Sequence, residues 1–110
     1  MQQLHSRQDV DAVLREPAAV LFKHSTRCPI SAAAYNQLAA VDDGRPSAPV
    51  YIVDVNAQRD VSDYIAERLG APHDSPQAFV LARGAPLWRA SHYAIRARDI
   101  EAALAEAVAP

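Results

Sequence analysis

Ala18-Ala19-Val20-Leu21-Phe22-Lys23-His24-Ser25-Thr26-Arg27-Cys28-Pro29-Ile30-Ser31 is the stretch that decides the fold. It opens as a short apolar run, crosses a polar turn and enters a helix-like segment, Ala32 to Val41. A run of this length bounded by turn residues reads as a buried strand over 18–23. The helix after it is predicted over 29–41, with Ile30, Ala33, Ala34, Leu38 and Val41 among its apolar positions. Pro29 fits its first turn, where a backbone N–H has no intrahelical partner to lose. Cys28, the one cysteine of the chain, therefore falls at a strand-to-helix junction. Unpaired N–H groups and the positive end of the helix dipole favour thiolate over thiol there. Ser31 lies three residues on, where a Cys-x-x-Cys redox site keeps its second thiol.

Working outward, Ser6 or Asp9 can cap a first helix, with Val10, Val13 and Leu14 at helical spacing and Pro17 just beyond. Asp42 to Pro49 is dense in turn formers and reads as a loop. Val50-Tyr51-Ile52-Val53-Asp54-Val55 is a second strand on its β-branched and aromatic content. Asp60 or Ser62 can cap a helix over about 61–69, with Gly70 just past its end. Gln77 to Ala82 is a third strand, Arg83-Gly84-Ala85 a tight reversal, and Leu87 to Ser91 a fourth strand. Asp99 heads a last helix, with Ile100, Ala103, Leu104 and Val108 on one face.

The order α-β-α-β-α-β-β-α implies an α/β fold with a four-stranded mixed sheet and helices on both faces. The first two strands, joined by a helix, should run parallel, and the last two should form an antiparallel hairpin. The thioredoxin fold has this order, and its reactive cysteine follows the first strand as Cys28 does here. That fold also carries a cis-proline at the start of its third core strand, close to the reactive sulfur. Ser75-Pro76 stands at that place.

The 110 residues suffice for one domain, 1–110, and not two. With 50% hydrophobic and 22% charged residues the chain reads as globular. A net charge of −2 gives no reason to expect nucleic acid or an acidic membrane surface as partner. The N-terminus has no apolar core of a signal peptide, and no apolar run approaches membrane-spanning length. One cysteine makes no internal disulfide, so a reducing cytoplasm is the expected setting. His5, His24, His73 and His92 include no i, i+4 pair and have no second cysteine to join, which argues against a closed zinc site. The three glycines are isolated and form no phosphate-cradling loop. Trp88 reads as core or sheet-face packing.

Phe22 to Ser31 resembles the signature of the monothiol bacilliredoxins, a thioredoxin-like family. The likeness continues in Asp54-Val55, Arg59 to Ser62, Ile65 to Gly70, His73 to Gln77 and Ser91-His92-Tyr93, spanning roughly residues 20 to 104. Cys-Pro-Ile-Ser, Ser-Pro-Gln and Ser-His-aromatic in one chain are together far more specific than Cys-Pro-x-Ser alone. Two positions depart from the family pattern: Asp74 where Glu is expected, and Tyr93 where Trp is expected. The resemblance implies a monothiol thiol–disulfide oxidoreductase with bacillithiol as co-substrate. Its partners would be bacillithiolated client proteins, the small thiol itself and another redox protein as possible reductant.

On this reading Cys28 is the nucleophile. Arg27 is either a solvated loop charge or an aid to the thiolate and to a ligand carboxylate. Pro29 fixes the turn. Ser31 either hydrogen-bonds the thiolate or merely solubilises the helix. Lys23, His24, Thr26, Ser75, Pro76 and His92 are the candidate small-thiol and substrate contacts. Ser75 would act through its backbone, by strand addition, and His92 either binds ligand carboxylates or caps a turn. Gln77 reads as strand surface. Two other classes compete. One is an iron–sulfur cluster carrier, disfavoured because such one-thiol glutaredoxins carry Gly-Phe where this chain has Pro29-Ile30. The other is a thioredoxin-fold binding module with an incidental thiol.

Overall fold

A computed structural model describes residues 1–110. Strand β2 (Ala18–His24) is buried over its first six residues and lies at the centre of the sheet. On one side it pairs in parallel with β3 (Val50–Asp54), as a helical crossover requires. On the other it pairs antiparallel with β4 (Gln77–Ala82), which turns back into β5 (Ala85–Ser91) as an antiparallel edge. At the far edge β1 (Gln2–Gln3) runs parallel to β3, so the order is β1-β3-β2-β4-β5. The sheet thus has five strands where four were expected. Two glutamines carry no strand signal. The pairing is made instead by Leu4, which is buried and whose N–H donates to Ile52 O at 2.9 Å. The N-terminal amine adds a bond of 2.7 Å to Asp42 Oδ2.

Alternation along β2 sorts the two layers. Ala18, Val20 and Phe22 face α2 (Pro29–Asp43) and α4 (Ala97–Ala107), packing with Ala34, Leu38, Val41, Ile100, Ala103 and Leu104. Ala19 and Leu21 face α1 (Arg7–Leu14) and α3 (Arg59–Leu69), packing with Val10, Val13, Val61 and Ile65. Each large apolar side chain removed from water in this way contributes roughly 1.5–3 kcal/mol. Trp88 packs half-buried against the α2/α4 layer.

Helix starts are where expectation and structure differ most. Ser6 caps α1, its Oγ accepting from Asp9 N–H at 3.1 Å. Helix α3 begins two residues before the predicted start, after Gln58, whose N–H donates to Asp54 O at 2.8 Å. Ser62 is therefore no cap: it is buried, with Oγ 3.2 Å from His73 Nδ1. Helix α4 begins at Ala97, and Asp99 sits in its first turn. Helix α2 runs on through Asp42 and Asp43, which the turn-rich composition had assigned to the loop.

The β4–β5 reversal is a two-residue turn with both φ angles positive, Arg83 at 51° and Gly84 at 79°. A Cβ on Gly84 would stand 2.7 Å from Leu14 O, a backbone atom with little freedom to retreat. Gly70 also has positive φ, 61°, but a Cβ there meets nothing within 4 Å. Gly84→Ala should therefore cost about 2–4 kcal/mol, combining left-handed strain with overpacking. Gly70→Ala should cost about 1 kcal/mol, from strain alone. Urea denaturation of the two variants checks this; equal losses would mean the Leu14 contact carries nothing.

Candidate active site

Period-two alternation decides what emerges at the end of β2. His24 continues the Phe22 face, with ring centroids 5.3 Å apart, and so points to α2. Lys23 continues the Leu21 face, toward α3, and is 0% exposed. It lines no part of the hollow at Cys28, so the expectation that it touches a ligand is corrected by its burial. Gln77, opposite Lys23 in the β2–β4 register, is also buried and is not strand surface.

The chain turns after His24 with Cys28 N–H donating to Ser25 O at 3.3 Å. Cys28 is the N-cap of α2, in extended backbone (φ −111°, ψ 122°), and Pro29 follows in the first turn. Its carbonyl accepts from Ala32 N–H at 3.1 Å. Pro29 has no N–H, so the first-turn amides of Ile30 and Ser31 are the donors left without intrahelical acceptors, and neither bonds the Cys28 side chain. Cys28 is half-buried, while Thr26, Arg27 and Pro29 are exposed.

Ser31 is fully buried and its hydroxyl closes the turn. Oγ accepts from Ser25 N–H at 2.9 Å and stands 2.7 Å from His24 Nδ1. Both partners lie on the β2 side, so Ser31 ties the helix to the strand end, a role sequence reading did not assign it. Burial pushes the His24 pKa below its ordinary value, partly opposed by Asp54, which favours the neutral ring. Tyr35 stacks against the His24 ring at 5.2 Å.

These elements enclose a hollow of about 320 Å³ lined by His24, Ser25, Thr26, Cys28, Ala32, Tyr35 and Asn36. Tyr35 and Asn36 were missed from sequence. Their signal was available: Cys28, Ala32, Tyr35 and Asn36 are spaced i, i+4, i+7, i+8, one face of a helix. Asn56 Nδ2 donates to Ser25 Oγ at 3.2 Å, fastening the β3–α3 loop to the same turn.

Ser75, Pro76 and His92 lie at this end of the sheet but not in that hollow. The Ser75–Pro76 peptide is cis. Pro76 O accepts from His92 N–H at 3.1 Å, and His92 Nε2 stands 3.2 Å from Asp74 Oδ1. Asp74, a departure from the family pattern, thus anchors His92. His92 instead lines a second hollow, across the first turns of α2.

Residues 2–100 match the monothiol bacilliredoxin family, BrxC. The chain belongs to the monothiol bacilliredoxin family. It is also similar to a solved thioredoxin-fold protein described as an oxidoreductase. The two share 34% identity and a TM-score of 0.83, with 96% of this chain and 91% of the other covered. Two thioredoxins share the fold at low identity. That of Fasciola hepatica has 13% identity, TM-score 0.76 and coverage of 96% and 98%. A mutant from Halobacterium salinarum has 9% identity, TM-score 0.79 and coverage of 99% and 91%. The family match and the likeness to the oxidoreductase support a thiol redox role; the two thioredoxins show the fold. No helix is long and apolar enough to cross a membrane.

Lys23 Nζ, Ser75 Oγ and Gln77 Oε1 are buried without a hydrogen-bond partner. Burial lowers the Lys23 pKa from 10.5 to about 8, against the pull of Asp63 and Asp74. Between those values the unfolded chain holds the proton that the folded chain has lost, so stability rises with pH across that window. Lys23→Met should be more stable than wild type at pH 7, by up to about 3 kcal/mol. That advantage should shrink as pH rises through 8 toward 10.5; a pH-independent difference in urea denaturation would contradict it. Ser31→Ala leaves Ser25 N–H and His24 Nδ1 without their partner and should cost about 1–3 kcal/mol, readable as a lower urea midpoint.

Proposed function

We propose that this protein removes bacillithiol from protein mixed disulfides through Cys28. The observation that carries the reading is the seat of the lone thiol: the N-cap of α2, half-buried, beside unpaired helix amides and in a hollow of small-ligand dimensions. Family membership supports the choice of bacillithiol. A cytoplasmic setting accords with a thiol that must stay reduced.

The reaction is an exchange of one S–S bond for another. The Cys28 thiolate attacks the bacillithiol sulfur of the client mixed disulfide. A new Cys28–bacillithiol bond forms, the old bond breaks, and the client sulfur leaves as thiolate, reduced. A second bacillithiol, or another redox protein, then attacks the sulfur of the bound bacillithiol; the Cys28–bacillithiol bond breaks, Cys28 leaves as thiolate and the new disulfide departs. The positive end of the α2 dipole favours negative charge on the N-cap sulfur, as attacker and again as leaving group. Thr26, Arg27 and His24 border the bound small thiol, and the backbone of Ser75 beside Pro76 offers an edge to the client chain. Ser31 contributes by fixing the turn that presents Cys28, since its hydroxyl is engaged by His24 and Ser25.

The test uses one client protein prepared with a bacillithiol cap and, separately, with a glutathione cap. Intact mass follows cap transfer to wild type and to Cys28→Ala. The bacillithiol cap should move to wild-type Cys28 at least about tenfold faster than glutathione, a preference of roughly 1.4 kcal/mol, and the alanine variant should take neither. Equal transfer would remove the small-thiol assignment, and no transfer would remove the exchange reaction.

A further inference from the structure

The second hollow, about 420 Å³, runs between α2 and the start of α4 and contains no acidic residue. One wall is α2, through Ala33, Ala34 and Gln37; the other holds His92, Tyr93, Arg96 and Arg98. Both arginines are exposed along it. Arg96 has no ion-pair partner, and Arg98 has only Asp99 at 3.7 Å from its Nε. Asp99 itself lines a different hollow, with Leu87 and Trp88. Arg96 is also the N-cap of α4, so the positive end of that helix adds to the field. Gln37 Oε1 accepts from Ala97 N–H at 2.8 Å and locks the two walls together. His92 is held at the rim by Pro76 O and Asp74, in left-handed backbone with φ 56°.

This hollow lies on the flank of α2 opposite the one that carries the Cys28 hollow, and His92 and the cis-proline segment connect the two at the N-terminal end of the helix. Cys28 caps α2 five residues before Ala33, about 8 Å along the axis at the helical rise. His92 is bonded to the cis-proline segment at the same end of the sheet. A small thiol joined to Cys28 and lying across the first turn of α2 would therefore carry its far end into a basic, hydrogen-bonding pocket.

We propose that this hollow is a carboxylate subsite, in which Arg96 and Arg98, with His92 and Tyr93 at its rim, hold the acidic end of the small thiol disulfide-bonded to Cys28. The inference rests on the exchange reading of Cys28 and extends it to the ligand's charge. Arg96 and Arg98 then act on binding and not on the sulfur, so carboxylate-bearing thiols react faster than neutral ones because they dock.

The test compares three thiopyridyl mixed disulfides sharing one neutral leaving group: of mercaptoethanol, with no carboxylate; of mercaptosuccinate, with two; and of bacillithiol. Release of thiopyridone is followed for wild type and for the double variant Arg96→Gln/Arg98→Gln, at low and high salt. Wild type should favour mercaptosuccinate over mercaptoethanol by about tenfold at low salt, a preference that fades with salt. The double variant should lose that preference through KM while its mercaptoethanol rate stays within about twofold. A preference that survives the double substitution would overturn the subsite. So would an equal loss with mercaptoethanol, which would make the arginines aids to the thiolate. The bacillithiol arm separates the two readings. A wild type that favours mercaptosuccinate but handles bacillithiol no better keeps the subsite and loses the bacillithiol assignment. A wild type that favours bacillithiol, with the double variant unchanged, does the reverse.

Discussion

Burial of β2 on both faces is the constraint from which the rest of the molecule follows. A strand covered by α2 and α4 on one side and by α1 and α3 on the other presents successive side chains to different layers. At its carboxyl end this separates two adjacent polar residues. His24 enters the α2 layer and meets Ser31; Lys23 enters the α3 layer and is sealed beneath it. Neither position is free to exchange roles, because a one-residue slip would turn every apolar side chain of β2 to the opposite layer.

The contact between Ser31, His24 and Ser25 translates that strand geometry into the geometry of the thiol. It binds the first turn of α2 to the end of β2 and thereby fixes the turn that carries Cys28. A serine in the place of a second cysteine is therefore more than a missing thiol: its oxygen closes a short network inside the protein. The cost of breaking that network falls on buried polar groups, which is the expensive kind of loss.

The legibility of this chain follows the range of the physics involved. Strands β2, β3 and β4 were plain because short apolar runs bounded by turn residues state their own burial, and Gly70 and Gly84 marked a helix end and a reversal that were found. Strand β1 was not legible, since its pairing is decided by where Leu4 is buried and not by Gln2 or Gln3. Of the site, the seat of Cys28 followed from strand, proline and helix in succession. Tyr35 and the inward turn of Lys23 were readable from helical and strand periods. The pairing of Asp74 with His92 was not, because it needs the β4–β5 register and a loop conformation that no local pattern encodes.

A one-thiol site places a further demand on its surroundings. With two thiols, the intermediate is cleared by a neighbour already in place, at high effective concentration. On the exchange proposed for Cys28, a capped intermediate has no second thiol in this chain to clear it, because position 31 is a serine, and it must wait for a second molecule. Such a site gains from holding its cap in a fixed orientation, with the cap's own sulfur reachable and the remainder of the cap out of the attacker's path. The first turns of α2 have a hollow on each side, one containing Cys28 and one walled by arginines. On the proposal above, a cap whose sulfur end lies in the Cys28 hollow and whose acidic end is held in the basic hollow keeps one orientation while it waits for the incoming thiol.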